Sequence, residues 1–135
     1  MTDARAARLG LAVAVVVVGA QALVGAAWSL SRDDPTDLDL TAQCFTREMG
    51  TSVERTTGDA IAASASGGTL TTVVEGNLLT VALVSSPEEA ERLRERYLAL
   101  GGDVAPRLEV RGEYVRLWHR APSESQRATA NGCEY

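Results

Sequence analysis

Residues 107–120 read RLEVRGEYVRLWHR, a run in which Arg107, Arg111, Arg116 and Arg120 are interleaved with Tyr114 and Trp118. Alternate side chains of an extended backbone share a face. Folded as a hairpin about Gly112-Glu113, this segment therefore sets Arg107, Glu109, Arg111, Tyr114, Arg116, Trp118 and Arg120 on one side. Guanidinium groups hold a carboxylate or phosphate through paired N–H donors, and an aromatic ring beside them offers a stacking surface. Arg107, Arg111, Tyr114, Arg116, Trp118 and Arg120 thus form the candidate binding face. The same groups can also satisfy one another through cross-strand ion pairs and cation–π contacts on an ordinary solvated sheet face.

Other chemistries find less support. All 13 basic residues are arginine, which excludes a lysine Schiff base and a phosphate-loop lysine. His119 is the single histidine, and Cys44 and Cys133 are the only cysteines. Their spacing matches no zinc-ligand pattern, and any Ser-His-acid triad would have to recruit His119. Gly67-Gly68 precedes a strand and not a helix, so it reads as a turn and not as a phosphate cradle. No catalytic residue, metal site or cofactor is assigned. The two cysteines predict a Cys44–Cys133 disulfide that ties the last helix to the first in an oxidising compartment, with an intermolecular bond as the alternative.

The elements that carry these residues follow from local signals. A helix beginning near Thr36 or Asp37 places Leu38, Ala42, Phe45 and Met49 on one stripe and contains Cys44. Residues 51–68 give a weak pattern, with a short strand near Val53 followed by loop. TLTTVVE and LLTVALV flank Gly76-Asn77 and predict a hairpin. Closing it on that turn pairs Val74 with Leu79, Thr72 with Val81 and Leu70 with Leu83. Ser86, Pro87 and Glu89 open a second helix with Ala90, Leu93, Tyr97 and Leu100 on one side. In the second hairpin, a turn at Gly112-Glu113 pairs Glu109 with Arg116 and avoids opposing Arg107 to Arg116. Pro122, Ser123 and Gln126 open a last short helix. The predicted fold is α+β, an α-ββα-ββα chain with a mainly antiparallel four-stranded sheet and helices on one face.

Location depends on the other end of the chain. Leu9 to Ser31 carries no charge, and 22 helical residues span roughly 33 Å, enough to cross a hydrocarbon core of about 30 Å. Arg5 and Arg8 precede this stretch, Trp28 lies near its far end, and Arg32 follows it. This distribution predicts an N-terminus in the cytoplasm. The organisation is then a cytoplasmic tail (1–8), a transmembrane helix or uncleaved signal anchor (9–30), an acidic linker (31–39) and an extracytoplasmic α+β domain (40–135). Ala20-Gln21-Ala22 also fits a signal-peptidase site, and cleavage there would release a secreted soluble factor. Leaving out Arg5, Arg8 and Asp3, residues 31–135 hold 11 arginines against 17 carboxylates, a balance that disfavours nucleic acid as a partner.

The Arg-flanked apolar stretch, the linker DDPTDLD, Cys44 in the first helix and Cys133 after a Pro-started terminal helix resemble, in layout, small membrane-anchored proteins of high-GC Gram-positive bacteria. The resemblance implies a bacterial envelope location and carries no activity with it. The function expected is a single-pass, non-enzymatic extracytoplasmic binding domain that contacts the membrane through Leu9 to Leu30 and meets an envelope protein or polymer. A small envelope hydrolase is the alternative of different class.

Overall fold

In a computed structural model, residues 36–134 are described. The tail (1–8), the apolar stretch (9–30) and most of the acidic linker lie outside them. Among the described residues, no helix is long and apolar enough to cross a membrane. The chain runs α1 (Asp37–Arg47), β1 (Val53–Glu54), β2 (Thr69–Val74), β3 (Asn77–Leu83), α2 (Pro87–Leu98), β4 (Leu108–Arg111), β5 (Tyr114–Trp118) and α3 (Glu124–Asn131). Short 3-10 turns at Ala62–Ser64 and Ala105–Arg107 precede β2 and β4.

The helix starts obey the capping signals. Thr36 and Asp39 form a reciprocal capping box on α1, and Ser123 and Gln126 form one on α3. Ser86 accepts from the Glu89 amide at the start of α2, with Pro87 in the first turn. These side chains satisfy amides that the first turn of any helix leaves without partners. The apolar stripes end sooner than their periodicity suggests. Leu38, Ala42 and Phe45 are buried whereas Met49 is exposed, and Ala90, Leu93 and Tyr97 are buried whereas Leu100 is 68% exposed.

The sheet has five antiparallel strands in the order β1-β2-β3-β5-β4, which corrects the expected four. The added strand, β1, is two residues long and so carries no alternating pattern to read. The Thr72 hydroxyl, which donates to the Ser52 carbonyl at 2.8 Å, helps hold it to β2.

The first hairpin is also corrected. It turns on Glu75-Gly76, not Gly76-Asn77, and pairs Val74 with Asn77, Thr72 with Leu79 and Leu70 with Val81. Glu75 and Gly76 adopt φ of 47° and 75°, as the favoured two-residue hairpin turn requires. Asn77 is withdrawn from the turn by other partners. Its side-chain Nδ2 donates to the Arg120 carbonyl at 3.0 Å and its Oδ1 accepts from the Arg120 backbone N–H at 3.1 Å. The pairing differs from expectation by two residues, so every side chain keeps its face.

Helices cover both faces of the sheet, which corrects the expectation of helices on one. α1 and α3 pack with Leu70, Val74, Leu79, Val81, Leu83, Tyr114 and Trp118. α2 packs on the other side with Ala82, Val84 and Val115, and the partly buried Leu108, Val110 and Leu117 adjoin that cluster. The cause is the junction of the two hairpins, where β3 meets β5 with Val81 opposite Arg116 and Ala82 opposite Val115. The main apolar face of the first hairpin is therefore coplanar with the Arg and aromatic face of the second. Each hairpin turns its aliphatic side a different way, and each side needs its own helical cover.

Cys44 and Cys133 are joined by a disulfide. Both are buried in the core that α1 and α3 share. α3 is eight residues long, and a helix this short is marginal by packing alone, so the covalent tie holds the C-terminal segment over the sheet.

Candidate functional site

The centre of the predicted binding face, Tyr114, Arg116 and Trp118, is buried on the side that α1 and α3 cover and is not an open sheet surface, whereas Arg111 and Arg120 stay exposed. Trp118 and Arg116 are 0% and 1% exposed, and Tyr114 is buried with its hydroxyl 3.3 Å from Thr41 Oγ1. The solvated-face expectation is corrected accordingly for these three residues. Helical cover is possible because carboxylates compensate the buried guanidinium.

Arg116 lies opposite Glu109 across the β4–β5 ladder. Its Nη2 donates to Asn131 Oδ1 at 2.7 Å, its Nε is 3.0 Å from Glu134 Oε1, and its Nη1 is 3.6 Å from Glu109 Oε2. Glu109 is shared further, because Oε2 accepts the Trp118 indole N–H at 2.9 Å and Oε1 accepts Arg127 Nε at 2.5 Å. Arg111 Nε is 3.8 Å from Glu134 Oε2. Taking a charge out of water costs several kcal/mol per ion, a penalty offset only where counter-charges and hydrogen bonds are in place. The compensation is incomplete in geometry, since Arg116 Nε and Nη1 and Glu134 Oε1 are buried without a hydrogen-bond partner. Burial lowers the pKa of Arg116, while Glu134 and Glu109 oppose that shift; burial raises the pKa of Glu134, while Arg116 and Arg111 oppose it.

Two shallow depressions flank this cluster. One of about 370 Å³ is lined by Glu109, Val110, Arg111, Arg116, Arg127 and Asn131. The other, of about 420 Å³, is lined by Arg111, Gly112, Glu113, Tyr114 and Glu134. Arg111 is the wall between them, with half of its side chain exposed.

The remaining predicted residues are used elsewhere. Arg107 Nη1 donates to the Trp118 and His119 carbonyls at 3.1 and 3.2 Å, clasping the end of β5. Arg120 Nη2 donates to the Gly76 carbonyl at 2.9 Å, bracing the first hairpin. Of the six residues, the structure thus brings Arg111 and Arg116 to one depression and Arg111 and Tyr114 to the other, buries Trp118, and leaves Arg107 and Arg120 as backbone clasps. Sequence reading missed Arg127, Asn131 and Glu134. Arg127 and Asn131 are four apart and share one side of α3, and Glu134 follows the disulfide-bonded Cys133. That spacing and that covalent tie were the available signals.

His119 is exposed, with its backbone amide donating to the Leu78 carbonyl at 2.8 Å. Among the described residues, no group of three or more His, Cys, Asp or Glu side chains could hold a metal ion. No family model, curated protein or solved structure matches this chain.

Proposed function

We propose that the protein is a single-pass membrane-anchored binding domain of the bacterial envelope, with a cytoplasmic N-terminus, Leu9 to Leu30 in the bilayer and the α+β domain outside. Its role is to hold a partner protein or polymer near the membrane, without catalysis of its own. The observation that carries this reading is the Cys44–Cys133 disulfide in a chain that also contains an uncharged stretch from Leu9 to Ser31. Structural disulfides persist in oxidising compartments and are rare where thiols are kept reduced. An uncharged stretch of this length, with two arginines before it and one after, is a route to such a compartment.

The reading is tested by carbonate washing of membranes, N-terminal sequencing and protease accessibility of the domain from outside. Retention in the washed membrane, a terminus at or near Met1 and cleavage by external protease are expected. A terminus at Leu23 in the soluble fraction would replace it with the secreted-factor reading that Ala20-Gln21-Ala22 favours.

A further inference from the structure

Resting on the reading of the domain as a binding module, we infer that the depression between Arg111 and Arg127, floored by Arg116, is a binding site for a carboxylate group. The charge balance is the first reason. Among the described residues, the ion pairs of Arg111, Arg116 and Arg127 are made with Glu109 and Glu134, three positive groups against two negative ones in a chain whose net charge is −5.

Donor geometry is the second reason. Arg127 uses Nε on Glu109, and Arg111 comes no closer than 3.8 Å to Glu134. Among the described residues, no hydrogen bond engages the terminal Nη groups of either arginine, and both side chains are about half exposed. They line one depression together. A guanidinium presents its donors as a planar fork that matches a carboxylate. Beneath them, Arg116 is 1% exposed and has two nitrogens without hydrogen bonds, so its charge is held in place but not fully satisfied.

The same features select the ligand's charge. Glu109 and Glu134 stay within the cluster, so a monoanionic carboxylate neutralises the excess, whereas a phosphate dianion would oppose both acids at short range. The ligand carboxylate can belong to an acidic segment of a partner protein or to a small free acid; both present the same group to the same fork.

The test uses the full chain in detergent micelles at fixed ionic strength, with the arginine Nε–H resonances followed by NMR. Sodium acetate, a tetraglutamate peptide and inorganic phosphate are the probes. Saturable shifts at Arg111 and Arg127 with acetate or with the peptide are expected, weakened about tenfold or more by Arg111→Gln and by Arg127→Gln, since each removes a charge-assisted contact. Tenfold tighter binding of the peptide than of acetate would identify an acidic segment as the source, and equal binding would identify an isolated carboxylate. Shifts that stay linear and match those with chloride would overturn the inference, as would binding unchanged in both variants or tighter binding of phosphate. Retention of the disulfide in each variant controls for folding. The titration does not depend on which side of the membrane the domain occupies, so its failure is distinct from failure of the topology reading.

Discussion

Glu134 lies 3.0 Å from the buried Nε of Arg116, and the residue just before it, Cys133, is bonded to Cys44 on α1. The covalent tie and the counter-charge are therefore adjacent in the chain. Breaking a buried ion pair from one side leaves an uncompensated charge and typically costs about 3 to 5 kcal/mol. Glu134→Gln should lower unfolding free energy toward that range in urea titrations. Combining Arg116→Met with Glu134→Leu should recover most of the loss, because no charge of the pair then remains inside. Equal loss in the single and double variants would show that the side chains matter by shape and not by charge.

Trp118 is 0% exposed beneath α3, and its indole N–H is held by Glu109. Emptying a core aromatic site costs roughly 3 to 5 kcal/mol, so Trp118→Ala should be among the more damaging single substitutions in the domain. A loss within about 0.5 kcal/mol, the usual range for a surface substitution, would return Trp118 to the surface.

Glu89 joins the start of α2 to the loop before β2. It accepts from the Ser66 hydroxyl at 2.6 Å and from the Ser66 and Ser85 amides at 2.9 and 3.0 Å. The Ser66 hydroxyl first, then the two amides, hold its carboxyl down to about 2 from an ordinary value of 4.5. A pKa depressed by folding contributes stability that is present above the unfolded value and lost as pH falls through the folded one. Stability should therefore decline as pH drops from 4.5 toward about 2, and Glu89→Gln should flatten that part of the curve. Parallel acid limbs for the two proteins, measured by thermal melts across this window, would contradict the assignment.

Gly67 passes close to β3. A methyl group on its Cα would sit 2.7 Å from the Leu83 carbonyl oxygen, while the Gly67 amide donates to that same oxygen at 2.8 Å. Gly67→Ala must displace backbone and should cost about 1 to 3 kcal/mol. Gly58→Ala meets no neighbouring atom within 4 Å and is the control. Equal melting temperatures for the two variants would count against the close approach.

Much of the architecture was legible where the signal is local. Ser86-Pro87 and Pro122-Ser123 announced α2 and α3, and opposing like charges excluded the wrong register for the second hairpin. Legibility ended where partners are distant in sequence. The register between β3 and β5 sets Val81 beside Arg116, and nothing near either residue encodes it. That one pairing decides that the Arg and aromatic face is covered, that helices are needed on both sides, and that Arg127 and Glu134 arrive beside Arg116. Asn77 shows the same limit, since its partner Arg120 lies 43 residues away.

Cys44 and Cys133, 89 residues apart, fasten the C-terminal segment to α1, and the proposed export of the domain would place that bond in an oxidising compartment. Closing a loop of this length restricts the unfolded chain by the equivalent of about 4 to 5 kcal/mol. The most direct measurement is the intact mass of the full chain taken from membranes under a thiol-alkylating reagent, with and without prior reduction. A monomer mass without the hydrogens of the two thiols and with no adduct is expected, gaining two adducts only after reduction. Two alkylated cysteines in the unreduced native protein, or a disulfide-linked dimer, would contradict it.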